Sequence, residues 1–255
     1  MKKIITIAKY LFVESFRNKI FITVMLIAIF IISANFALDF YSQGIQNRLI
    51  FDFGSSLASI IGAFLCIYLL TTQIRGEIEN KLAYFALTSE TSRTEYLLGK
   101  YFGTLIFVAF GTLVLFLEIF LIIYFNSNTI SFISMIYYYV MILKFSVLCS
   151  LTVLFAVISS LVITPVLAAF AYIIGHWSGY INYVAKKSGS ALINNITELL
   201  TFYIIPNFNF YTAEHVSNEA FKGAAAYLTS LTLYSVSLNL IILITAVKLF
   251  ERKDI

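Results

Sequence analysis

An all-α integral membrane protein with about six transmembrane helices is what this sequence predicts, on three observations. Hydrophobic residues make up 60% of the 255 and charged residues only 12%, with a mean hydropathy of +0.91. That composition leaves too little polar surface to cover a water-soluble fold, so lipid is the expected solvent. Six apolar stretches approach or exceed the roughly 20 helical residues that a hydrocarbon core about 30 Å thick requires. They are 20–38, 53–73, 101–125, 132–158, 165–183 and 226–250. Basic residues, finally, gather in alternate connections between these stretches, as topology demands.

The elements follow in order. Residues 1–19 carry Lys3, Thr6, Lys9, Tyr10, Glu14, Arg17 and Asn18 on one helical face and Ile4, Ile5, Ala8, Leu11, Phe12 and Phe16 on the other. Such a helix lies in the headgroup plane. Ile7 and Val13 fall off the apolar face, which leaves a plain basic juxtamembrane tail as the alternative. Charges run through this segment without a small-residue cleavage motif, so it reads as mature chain rather than a signal peptide.

After the second span, the connection 74–100 has acids at its start and apolar residues after them, which suits a short amphipathic helix from about Glu77 to Leu87 below the membrane. Ser92-Arg-Thr-Glu95 is a capping box that starts the next helix. Spans four and five are nearly continuous and are divided at Ser159, Ser160 and Thr164, with Thr164-Pro165 read as an N-cap followed by proline at the first helical position. In 184–225, Leu192, Ile196, Leu199 and Tyr203 recur at helical spacing among Asn194, Asn195 and Glu198. This predicts a surface helix ended by Pro206, acting as an external gate or only as a tether.

Orientation comes from lysine and arginine. With the N-terminus inside, Lys2, Lys3, Lys9, Arg17, Lys19, Arg75, Lys81, Arg93, Lys100, Lys248, Arg252 and Lys253 are cytoplasmic, 12 of the 17. Arg48, Lys186, Lys187 and Lys222 lie outside and Lys144 within the membrane. Both termini and the 74–100 loop are therefore expected in the cytoplasm of a multi-pass chain, with 184–225 outside.

Several functions are disfavoured. There is no basic stripe on a polar domain for nucleic acid, and no H-E-x-x-H or G-x-S-x-G for hydrolytic chemistry. Cys66 and Cys149 sit in apolar runs and read as small buried hydrophobes. His176 and His215 are the only histidines and lack metal-site spacing, so no metal or other cofactor is expected. Glu118 and Lys144 are the ionisable residues well inside spans. On antiparallel spans three and four they are expected to form an ion pair or to snorkel, a place in a substrate pathway being the alternative.

Glu77-Ile-Glu79 followed by Ser92-Arg93-x-Glu95-Tyr96-x-x-Gly99-Lys100-Tyr101 resembles the cytoplasmic loop of the type 2 ATP-binding-cassette (ABC) transporter permeases. Ile205-Pro206-Asn207-Phe208-Asn209-Phe210 resembles the P-N-F segment of the branch associated with multicopper enzyme and nitrous-oxide reductase maturation. Phe250-Glu251-Arg252-Lys253-Asp254 resembles the family's F-x-R-x-D tail. Thr91 stands where the family commonly has proline. The resemblance implies a single permease domain of an exporter in the bacterial inner membrane, working with a second permease copy or paralogue. It implies a separate P-loop ATPase subunit as partner, which would bind the ATP. This chain is no ATPase, since Gly99-Lys100 has Tyr101 where a P-loop needs Ser or Thr and Thr94 where its first glycine belongs. The 74–100 loop is the only cytoplasmic element large enough to fit a partner's cleft. Glu77 and Glu79 are its expected polar contacts and Tyr84 and Phe85 its apolar anchors, with Ser92, Arg93 and Glu95 shaping the turn. An ATPase-driven signalling or assembly component is the alternative, as is a partner-free secondary transporter or scaffold. The absence of inverted repeats and Gly-interrupted helix pairs weighs against the secondary transporter.

Overall fold

The computed structural model describes residues 2–34, 43–83, 91–127, 132–187, 197 and 206–252. Every regular element among them is helical. In chain order these are α1 (Lys2–Phe16), α2 (Lys19–Ala34), α3 (Gln43–Leu70), α4 (Arg93–Ser127), α5 (Phe132–Ile158), α6 (Ile163–Lys187) and α7 (Ala213–Glu251). Among the described residues four segments are long and apolar enough to cross a membrane: Asn47–Glu79, Arg93–Phe125, Ser134–Ile158 and Ala225–Glu251. The α1–α2 pair, bent by 64°, is a fifth candidate. Helices suit such a solvent because each satisfies its own backbone hydrogen bonds, which lipid cannot do. Large apolar side chains stand exposed around the bundle, among them Phe30, Phe125, Val162 and Leu233. In water a surface of this kind would associate.

Among the described residues the protein is thus all-α, with four helices fit to span a membrane, or five if the bent pair is one span. α6 has length enough at 25 residues, but its second half carries His176, Trp177, Ser178 and Asn182 and is less apolar than its first. α2 reaches 16 residues, and the end of the first sequence-read span, 35–38, lies outside the described residues.

α5 is the central helix, with 72% of its apolar window buried against 22% for α7. It packs on α3, α4, α6 and α7, while α4 packs on α1 and α3. α1 departs from the simple surface helix. It buries Ala8, Leu11 and Ser15 while Ile5, assigned to its apolar face, is exposed. The reason is a close backbone crossing on α4: a Cβ on Gly103 would stand 2.9 Å from Ala8 Cα and 3.0 Å from Ala8 O. Small residues allow this approach, and it rotates α1 toward the stripe that meets α4. The elbow between α1 and α2 is fixed by Asn18, whose Oδ1 accepts from the Ile20 amide at 3.0 Å and caps α2.

Two boundaries differ from the sequence reading. α3 does not stop at Gln73. It continues as a π-helix, Thr71–Gly76, and a last α turn, Glu77–Glu79. The helix ends where Lys81 takes a left-handed backbone at φ 60°, a common way to close a helix although costly without glycine. Glu77 therefore finishes a span helix instead of starting a separate one. α6 begins at Ile163, so Thr164 is not its N-cap. Thr164 lies in the first turn, its hydroxyl donating back to Ser160 O at 2.8 Å and its amide to the same carbonyl at 3.0 Å.

Candidate functional site

At one end of the bundle the last turn of α3, the first turns of α4 and the end of α7 converge. Helix ends expose carbonyls and amides without partners, and here charged side chains from neighbouring elements supply them. Glu77 is the hub. Its Oε1 accepts from Lys100 Nζ at 2.5 Å and its Oε2 from Tyr96 O–H at 2.7 Å. Tyr96 O–H also lies 3.3 Å from Gln73 O, so α4 is tied to the π segment of α3. Lys100 is only 4% exposed and its ammonium lies 5.6 Å from the centre of the Tyr96 ring. Charge, hydrogen bonds and a ring face together compensate the burial of the ammonium.

Arg93 joins the third element. Its Nη1 donates to Phe250 O at 2.7 Å and to Glu251 O at 3.0 Å, the terminal carbonyls of α7, where a cation also suits the helix dipole. Its guanidinium lies 5.8 Å from the Phe250 ring centre, and Phe250 stacks on Tyr96 at 6.1 Å. Nearby, Glu79 Oε1 accepts from Arg75 Nε at 2.9 Å and from the Leu161 amide at 3.0 Å.

The capping box forms as read. Ser92 Oγ accepts the Glu95 amide at 3.1 Å and Glu95 Oε2 accepts the Ser92 amide at 3.2 Å. Six of the residues singled out in the loop and tail thus close on one another: Glu77, Arg93, Tyr96, Lys100 and Phe250 in one cluster, with Glu95 capping the helix that carries three of them. Glu77 and Glu79, expected as polar contacts of a partner, also bond within the chain, and Glu79 keeps 37% of its side chain exposed. Tyr84 and Phe85 lie outside the described residues, as do Lys253 and Asp254.

Glu118 and Lys144 do not pair. Ser33 Oγ on α2 donates to Glu118 Oε1 at 2.7 Å. Lys144 donates to Ser59 on α3 and lies 5.9 Å and 5.7 Å from the Tyr172 and Phe145 ring centres. The physical reason is helix rotation: α4 turns Glu118 toward α2, and α5 turns Lys144 into the core between α3 and α6.

The Asn207-Phe208 turn is packed into the bundle. Phe208 and Tyr211 are fully buried. Asn207 Oδ1 accepts from Ser178 Oγ at 2.6 Å and from the Asn209 amide at 3.0 Å. Room exists because α6 has glycine at 175, where a Cβ would stand 2.5 Å from Pro206 O. His176 lies beside this turn, its Nδ1 3.1 Å from Tyr172 O and its ring stacked on Phe208 at 5.8 Å. Among the described residues no group of three or more His, Cys, Asp or Glu could hold a metal, and the His215 side chain is not described. Cys66 and Cys149 are free and buried. The surface helix read around Leu192 to Tyr203 lies almost wholly outside the described residues.

Sequence reasoning missed the π-helix and the bond from Arg93 to the end of α7. The basic residue opening α4 and the aromatic near the end of α7 were visible, but nothing local to either joins them. Set against known proteins, the chain matches no protein-family model and no curated sequence.

Proposed function

We propose that the chain is the transmembrane permease subunit of an ABC-type exporter, driven by a separate P-loop ATPase and paired with a second permease copy or paralogue. The observation that carries this reading is the three-helix junction. The residues behind the family resemblance, Glu77, Arg93, Tyr96, Lys100 and Phe250, are also the ones that bind the ends of α3, α4 and α7 to each other. A push on the connection between α3 and α4 would then reach three long helices at once, which is the mechanical requirement for coupling to a soluble motor.

In this reading the junction faces the cytoplasm, as the 12-of-17 basic bias supports. The chain crosses the bacterial inner membrane six times, with α2 and α6 completing the four strongest spans. Glu77 and Glu79 act as struts within the permease. Leu82, exposed beside the junction, is offered to the ATPase, together with Tyr84 and Phe85, the apolar anchors read from the sequence.

The test is co-purification. The tagged chain, extracted from its native membrane in mild detergent, should bring with it a P-loop ATPase in fixed ratio. Recovery of intact, folded chain without any nucleotide-binding partner would remove the proposal.

A further inference from the structure

A furrow of 510 Å³ runs between α1 and α4 on the outside of the bundle. α1 supplies Ile4, Ile5, Ala8 and Phe12, and α4 supplies Phe102 and Ile106. Its origin lies in the residues of both helices. Gly99 and Gly103 bring α4 close to α1, so that a Cβ on Gly99 would stand 2.7 Å from Ile7 Cβ and one on Gly103 3.2 Å from Leu11 Cβ. Ala8 is the small, buried floor of this crossing. Beside it the large side chains of Phe12 and Phe102 do not close over the gap, and its lining is left without dispersion partners on one side.

Place and width together define what fills it. Ile5, Phe102 and Ile106 are exposed, and the last two belong to the segment Arg93–Phe125, which is fit to cross a membrane. The furrow therefore opens toward hydrocarbon. Its wall on α1 extends from Ile4 to Phe12, about 12 Å of helix. Spread over that length, the volume is a section of about 40 Å². A helix with its side chains is about 10–12 Å across, roughly twice that section, and would bridge the furrow without entering it. A single hydrocarbon chain is thin enough to lie within it.

We propose that this furrow holds one acyl tail of a membrane phospholipid, with the lipid's phosphate on Lys9. The tail is selected by width and by the apolar wall, and the charge only sets which end of the lipid lies where. Lys9 is the one charged residue in the lining and is exposed. Its stem extends the apolar wall, and its ammonium is the kind of point charge that binds phosphate. Held in this way the lipid supplies the missing contacts beside the Gly103 crossing and keeps α1 on α4, which freely exchanging lipid does not. This inference needs only the membrane reading and not the ATPase.

The chain would be purified in uncharged detergent and stripped of lipid in steps, with the phospholipid that remains counted by native mass spectrometry. Wild type should keep about one phospholipid per chain after the exchangeable lipid has gone. Ile5→Trp sets an indole into the furrow from an exposed position and should lose that lipid, whereas Leu233→Trp, exposed on α7, should keep it. Lys9→Gln should weaken retention roughly threefold, the value of an exposed ion pair. In bilayers, a phospholipid with a photoreactive group in mid-tail should label Phe102 and Ile106 above Leu233. Equal retention by wild type, Ile5→Trp and Leu233→Trp would overturn the proposal, and so would labelling no stronger at the furrow than at Leu233. Capture of a polypeptide by a photoreactive residue at Ile106 in native membranes would assign the furrow to a protein and overturn it as well. Unchanged retention in Lys9→Gln would take the phosphate off Lys9. Should Ile5→Trp not fold, Ile106→Trp fills the furrow from α4 and is read by the same criterion.

Discussion

Replacing Glu77 by Gln leaves Lys100 with a side chain 5% exposed and no anion, whereas replacing Lys100 by Met leaves Glu77 with 23% of its side chain in contact with solvent. The two halves of one ion pair should therefore not be equivalent. Removing one partner of a buried pair costs about 3–5 kcal/mol, because the survivor is a buried charge without compensation. Glu77→Gln should come close to the lower figure, since only a neutral amide oxygen and the ring of Tyr96 then face the ammonium of Lys100. Lys100→Met should cost less, about 2 kcal/mol, because water and the Tyr96 hydroxyl still reach the carboxylate. At about 2–4 °C per kcal/mol for a chain of this size, Glu77→Gln should lower the unfolding midpoint by on the order of 10 °C. The double variant should lose less than the sum, with a coupling of about 1–3 kcal/mol. Thermal unfolding of the four proteins in one detergent measures all of this. Equal losses, or strict additivity, would refute the junction as an energetically coupled unit.

Other outcomes follow from the same geometry. Gly103→Ala places a Cβ against the backbone of Ala8 and should cost about 1–3 kcal/mol by forcing α1 off α4. Gly111→Ala meets nothing nearer than Phe21 at 3.4 Å and should be neutral or stabilising; limited proteolysis of α1 and unfolding midpoints compare the two. Glu118→Gln and Lys144→Met should show additive losses of folded protein, since each group bonds a different serine; strong coupling would contradict the placement. Ser92→Ala removes the acceptor for the Glu95 amide at the start of α4 and should cost about 1 kcal/mol; an unchanged unfolding midpoint would refute the cap's contribution.

Local features of the site were legible in the sequence and distant ones were not. The Ser92–Glu95 cap could be read because its partners are three residues apart and its geometry is set by one turn of helix. Long spans could be read because hydropathy reports the solvent rather than the neighbour. The Glu118–Lys144 pair failed for the opposite reason, since depth along two spans says nothing about their rotation, and rotation decided the partners. The lysine and arginine bias puts Asn207-Phe208 on the outer side of the membrane and says nothing of its burial. Only the packing against Gly175 shows that the turn folds inward. The π-helix has no composition signal, and its consequence, a helix that runs on to Glu79, moved Glu77 from a partner-facing surface to the junction's interior.

The central claim is that the connection between α3 and α4 meets a cytoplasmic ATPase, and site-specific photo-crosslinking in native membranes tests it most directly. A photoreactive residue at Leu82, 55% exposed beside the junction, is compared with one at Tyr124, 51% exposed at the far end of α4. An adduct should form between Leu82 and a P-loop ATPase, and none from Tyr124. An ATPase adduct at Tyr124, or a Leu82 probe that captures only lipid while the protein is folded and inserted, would contradict it.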